Sequence, residues 1–224
     1  MGSMRNAVFP LILTNIVLFM LQLSLGEWFT SSFVLVSADV LTRPWIIITS
    51  MFLHASPNHL FFNMIVLYMF GPLVERRIGT KRFLYAYFIS GIAAALAFAL
   101  YSQSSALGAS GAIMGILGLT IMLFPDLQVL FLFFIPMSMR TAGIIVAVID
   151  FLGLLGIGPS GIANISHLAG LAFGIAYGYM LINRKRGLAG RARSAAAHGR
   201  GRRTHDGAIE MTDDDVNEYL RNFR

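Results

Sequence analysis

The stretch GASGAIMGILG, residues 108–118, decides how this chain is read. Its later part is apolar enough to be a buried helix, yet four glycines sit in it, at 108, 111, 115 and 118. Glycine in a helix interior costs about 1 kcal/mol relative to alanine, so four of them need a reason. Gly111, Gly115 and Gly118 recur at three- and four-residue spacing and so share one helix face. A face of small residues lets a second helix backbone come close, the usual packing device inside a membrane. A single hydroxyl, Ser110, stands at the front edge of that face.

Composition gives the same solvent. Of 224 residues, 56% are hydrophobic and only 12% charged, against roughly 25% charged in a soluble domain. Mean hydropathy is +0.70. This is the composition of an integral membrane protein. There is no cysteine, which excludes disulfides and thiol chemistry. The net charge of +6 is not a nucleic-acid signal, because ten of the seventeen Lys and Arg residues follow Asn183 in a polar tail.

A helix needs about 20 apolar residues to cross a bilayer. Six segments qualify or come close: 7–25, 57–74, 83–102, 110–124, 141–157 and 162–182. The first is too long for a signal-peptide core and has no small-residue cleavage site after it, so it reads as a retained span. The expected fold is therefore an all-α polytopic membrane protein, a bundle of six transmembrane helices over residues 1–182, with a tail over 183–224. PDLQVLFLFFIPMSMR, residues 125–140, is apolar but bounded by prolines too closely spaced for a crossing, and reads as an interfacial or partly extended connection. Basic residues crowd the loop after the second span (Arg76, Arg77, Lys81, Arg82) and the start of the tail (Arg184, Lys185, Arg186). The loops after the third and fifth spans carry no charge. By the positive-inside rule both termini lie in the cytoplasm, with the cell membrane as the expected location.

The tail divides in two. RKRGLAGRARSAAAHGRGRR, residues 184–203, is basic and expected to be largely disordered. It reads as a solvated segment that can also contact anionic lipid, at about 1 kcal/mol per basic residue near the surface. MTDDDVNEYLRNF, residues 211–223, is acidic, with a short helix expected from Thr212.

Polar side chains inside spans are costly and mark function or pairing. Here they are few: His54, His59 and Asn63 around the start of span 2, Ser110 opening span 4, Asp150 in span 5, and Asn164 and His167 at the start of span 6. Spans 2, 4 and 6 run in the same direction, so His59, Asn63, Ser110 and His167 fall near the outer ends of parallel helices. Gly170, Gly174 and Gly178 continue the face of His167. Tight packing of spans 4 and 6 through their glycines would bring Ser110 and His167 within reach of each other. From Ser110 to the break at Pro125 is about 22 Å of helix, less than the roughly 30 Å core. Ser110 then starts below the outer surface, and ALGAS, residues 106–110, is non-helical backbone lining a cavity.

Such a set has a chemistry. A serine hydroxyl becomes a nucleophile when a base takes its proton, and His167 is the candidate base, later returning the proton to a leaving amine. An oxyanion would meet the backbone N–H groups at the front of span 4, at Ala109 and Ser110, which have no acceptor inside the helix. The side chains of His59 and Asn63, four apart on one face of span 2, can donate from beside it.

These stretches, GASG at 108–111, HASPNHLFFN at 54–63 and SHLAGLAFG at 166–174, together with VERRIG at 74–79, resemble the rhomboid intramembrane serine proteases. The resemblance covers residues 7–182. It implies that Ser110 is the nucleophile, that His167 is its base in a dyad without a carboxylate, and that His59 and Asn63 support the oxyanion. It implies transmembrane protein substrates, cut within single-pass segments where helix-destabilising residues lie near the site. It also suggests substrate access between spans 2 and 5, near GIGPSGIAN, residues 156–164. The Trp-Arg pair that many rhomboids carry in the first loop is absent: Trp45 is followed by Ile46, and Arg43 precedes Pro44.

Each motif alone has a plainer reading. G-x-S-G in a span is more often a packing motif, and His59 with Asn63 an interhelical hydrogen bond. No H-E-x-x-H accompanies the histidines, so neither metal nor cofactor is expected, and His54 reads as capping or orienting the start of span 2. Asp150 reads as an interhelical hydrogen-bond partner near mid-membrane, and Asn164 as the cap of span 6. An inactive rhomboid relative that binds membrane clients is the alternative function. A proton-relay transporter would require an inverted repeat, which the chain lacks.

Overall fold

A computed structural model describes residues 6–131, 134–157 and 163–199. The chain divides into two units, Met1–Met180 and Leu181–Arg224. In the first, each segment read as a span falls on a helix. Helix α1 spans Val8–Phe33, and α3 spans Pro57–Ile78. Helix α4 covers Thr80–Tyr101, α5 Ser110–Leu123 and α6 Met139–Leu154. Helix α7 begins at Ala163 and runs to Gly199. A four-residue helix α2, Ile46–Thr49, lies in the first long loop. The fold is a polytopic helical bundle. Among the described residues, three helices (Val8–Phe33, Thr80–Tyr101 and Ala163–Arg184) are long and apolar enough to cross a membrane by length and composition. Helix α5 is apolar but shorter. The outer faces are apolar too, with Leu13, Met20, Leu23, Phe61, Tyr68 and Leu100 exposed, as a lipid-facing surface requires.

Two small antiparallel sheets interrupt the helices. Strand β1 (Leu35–Val36) pairs with β2 (Ser105–Ala106), Leu35 opposite Ala106, and so ties the first loop to the chain entering α5. Strands β3 (Gln128–Phe131) and β4 (Ile135–Ser138) pair as a hairpin between α5 and α6. The segment expected to be partly extended is therefore a ribbon, whose backbone groups pair with each other.

Three local signals set the helix ends. Gly26, at φ +68°, interrupts α1 where the apolar run stops. Ser56 caps α3, its hydroxyl accepting from the His59 N–H at 3.2 Å, with Pro57 in the first turn. The cap is thus Ser56 and not His54, which packs beside it. Glu75 of VERRIG is buried, and its carboxylate accepts from the Ala7 N–H at 2.8 Å and the Thr80 hydroxyl at 2.7 Å. A buried charge is tolerated there because it meets the positive end of α1.

Helix α5 is central, packed against α3, α4 and α6. Its small residues face two ways. Gly111 and Gly115 abut Ala94 and Ser90 of α4 on one side, and Gly170 and Gly174 of α7 on the other.

In the second unit the described residues continue α7 to Gly199. Disorder was expected from residue 183; instead 183–199 is helical. Ala and Arg, the commonest residues of this stretch, are strong helix formers, and a helix already running needs no new nucleus. The acidic segment 211–223 lies outside the described residues.

Candidate active site

Ser110 is the first residue of α5, half-buried, and Ala109 before it is fully buried. Ala109 offers no side-chain cap, so the leading N–H groups of α5 stay open to an acceptor. The chain reaches this point through Gly108, held by its N–H to the Ser50 carbonyl at 2.9 Å. Gly108 has φ +128°, and a β-carbon there would stand 2.7 Å from His59 Cε1 and 3.0 Å from its Nε2. Only glycine meets both constraints.

His59 and Asn63 come to this same place. Asn63 Nδ2 is 3.8 Å from the position a Gly108 β-carbon would take. Asn63 is buried and its Nδ2 has no protein acceptor, a donor left unmatched next to the start of α5. His59 Nδ1 accepts from the Ala55 N–H at 3.4 Å. In a neutral ring the proton then sits on Nε2, the nitrogen facing Gly108. Both side chains therefore offer N–H groups to one spot.

His167 stands on α7, half-buried. Backbone contacts fix its height. The Gly111 carbonyl occupies the place of a β-carbon on Gly170, and the Gly115 carbonyl that of one on Gly174. The two helices are thus parallel, in constant register. The reciprocal contacts, Gly111 to the Ser166 carbonyl and Gly170 to the Gly111 carbonyl, put Gly111 between Ser166 and Gly170 in height, so Ser110 lies near the level of His167. His59 also lies within electrostatic reach of His167. Ser110, Gly108, Ser50, Gly111 and Ser166 line a cavity of about 50 Å³, room for a few water molecules.

Of the two remaining polar residues, Asp150 has a partner the sequence did not name. Asp150, buried on α6, has its Oδ1 3.1 Å from His167 Nδ1. It lies one turn from the C-terminal end of α6. Asp150 lies near the end of α6 and His167 near the start of the described part of α7, so consecutive antiparallel helices bring them level. Asn164 is the second residue of α7, inside the helix and not its cap, with no acceptor for Nδ2.

His54 is fully buried, its ring edge-on to His59 with centroids 5.1 Å apart. Its backbone is clamped by Gln22 of α1, which accepts from the His54 N–H at 2.8 Å and donates to its carbonyl at 3.4 Å. Neither ring nitrogen makes a well-formed hydrogen bond. Burial pushes its pKa down to about 4; nearby His59 adds to this and the Phe52 backbone opposes it. His54 is a neutral wall behind His59.

Arg43 anchors the first loop. It donates to the Ser31 and Ser32 carbonyls at 2.7 Å each and to Asp39 Oδ2 at 3.1 Å. The proposed access loop, residues 156–164, falls largely outside the described residues. Helix α6 beside it packs on α5 where Gly143 meets Ile121.

The rhomboid domain family model matches residues 41–184. The chain belongs to the rhomboid family. Rhomboid protease GluP of Bacillus subtilis (strain 168) is similar, 38% identical over 132 residues, which is 58% of this chain and 24% of that protein. The mitochondrial Rhomboid protein 1 of Saccharomyces cerevisiae is 32% identical over 194 residues, 79% of this chain and 54% of the relative. RHOMBOID-like protein 4 of Arabidopsis thaliana is 32% identical over 142 residues, 62% of this chain and 34% of the relative. The chain thus spans between a quarter and about half of the length of these rhomboid relatives.

Proposed function

We infer that this rhomboid is an intramembrane serine endopeptidase cutting transmembrane segments of single-pass membrane proteins. Ser110 Oγ attacks the scissile carbonyl while His167 Nε2 takes its proton. The tetrahedral oxyanion accepts from the N–H groups of Ala109 and Ser110, where α5 starts, and from His59 and Asn63. His167 returns the proton to the leaving amine, and water from the cavity repeats the cycle on the acyl-enzyme. The glycine contact of α5 with α7 carries this reading most, since it sets the heights of Ser110 and His167. Relatives that bear the name rhomboid protease support it at the level of the family.

In the proposed arrangement six helices cross the cell membrane, with both termini cytoplasmic and the cavity open to the outer face, as the loop charges favour. The relative named as mitochondrial shares the matched core, so that core can serve more than one membrane.

The test is cleavage of a tagged single-span substrate by the purified chain in liposomes. Cleavage is expected from the parent and from neither Ser110→Ala nor His167→Ala. Undiminished cleavage by Ser110→Ala would overturn the mechanism. A folded parent that binds single-span clients without cutting them would instead favour a client-binding relative.

A further inference from the structure

We propose that Asp150 is a positioning residue for His167: it holds the imidazole in the tautomer that a serine base needs, and steadies the imidazolium that forms. This rests on the reading of Ser110 and His167 given above.

The contact is direct, with Oδ1 3.1 Å from Nδ1 and side chains only 10% and 26% exposed. Asp150 is the one acid of α6, whose remaining residues are apolar or small except for Arg140 and Thr141 at the far end. An acid so placed is costly unless paired, and His167 is the partner the structure gives it.

The chemistry follows from the donor inventory. An ionised carboxylate only accepts, and a neutral imidazole carries a single N–H. Bonding to Asp150 therefore fixes that hydrogen on Nδ1 and leaves the Nε2 lone pair free. Nε2 is the atom that would accept the Ser110 proton. When it does, Nδ1 keeps its hydrogen and the positive charge rests beside the carboxylate. No proton passes to Asp150, and none needs to.

A purely structural tie between α6 and α7 makes a different prediction, so substitutions separate the two. Asp150→Asn keeps size and one acceptor oxygen, but its amide can turn and donate to Nδ1, which puts the proton on Nε2. In a Ser–His–Asp triad that change costs about 10⁴ in kcat. Here we expect kcat of the full chain in liposomes to fall about 10²–10⁴-fold in Asp150→Asn. KM should stay within about threefold and the thermal midpoint within a few degrees. Asp150→Glu, which restores the carboxylate, should recover kcat to within about tenfold of the parent. A structural tie would lower the midpoint and leave kcat per folded molecule unchanged.

A second measurement needs no variant. In the parent carrying ¹⁵N-labelled histidine, with His167 assigned by its loss in His167→Gln, Nδ1 should appear as the protonated nitrogen and Nε2 as the bare one. The reverse pattern overturns the proposal, as does an Asp150→Asn enzyme with kcat within threefold of the parent. If Ser110→Ala still cleaves, the Ser–His reading itself has failed. If Ser110→Ala and His167→Ala are inactive while Asp150→Asn is not, only the role of Asp150 falls.

Discussion

The carbonyl oxygen of Gly111 stands where a β-carbon on Gly170 would have to be. Two helices meet there backbone to backbone, and the side chains at their front ends, Ser110 and His167, inherit their separation from that contact.

Enlarging Gly170 tests this dependence. A side chain there meets backbone, which cannot swing aside, so α5 and α7 must part. Overpacking of this kind costs about 1–3 kcal/mol, and a displacement of about 1 Å at a reacting pair costs about 10² in rate. Gly170→Val should lose at least 10²-fold in kcat, with a thermal midpoint lowered by several degrees. Gly187→Ala, in open space on the same helix, should do neither.

His59 and Asn63 should act on the transition state and not on substrate binding. Removing one oxyanion donor costs about 10²–10³ in kcat. Asn63→Ala is expected in that range with little change in KM. The buried Nδ2 has no protein acceptor to lose, so stability should hardly fall. A raised KM with normal kcat would instead place Asn63 in binding.

The His54 ring predicts a pH dependence of stability. Its pKa is about 4 in the folded chain and about 6.5 when unfolded. Between those values the unfolded form takes up a proton that the folded form refuses. Stability should therefore fall as pH drops from about 6.5 to 4, by about 3 kcal/mol in total, and level off below. Thermal midpoints in detergent across pH 4–8 check the sign. His54→Phe, which keeps the ring contact with His59 but cannot be protonated, should remove this share of the slope.

Arg43 should matter for the first loop even without a tryptophan beside it. Its guanidinium reaches two carbonyls and a carboxylate together, a fork that lysine cannot form. Hydrogen bonds to a charged group are worth about 1.5–3 kcal/mol each where buried, and less at this half-exposed site. Arg43→Lys should lower the midpoint by a few degrees and speed proteolysis between residues 33 and 45, with Ser110 chemistry intact.

Most of the architecture was written in the chain order. The apolar runs, the loop charges and the glycine spacings each follow from short-range rules. Helix α5 therefore begins at Ser110 and ends at Leu123 close to where composition changes, while α1 runs on past its kink at Gly26 to Phe33. The basic stretch after Asn183 read as disordered because its charge was weighed and its Ala and Arg propensity was not. His54 drew a capping role from its position, but the shorter Ser56 side chain bends back to the His59 N–H, and the imidazole packs instead.

The sequence by itself determined a membrane bundle and picked out Ser110, His59, Asn63 and His167, because polar residues are rare and costly in such a solvent. The tertiary structure alone decided which of them face one another. It set the heights of Ser110 and His167 through glycine contacts, turned His59 Nε2 toward Gly108, and gave Asp150 to His167. Those outcomes depend on how two helices meet, and helix spacing along one chain carries no information on the distance to another.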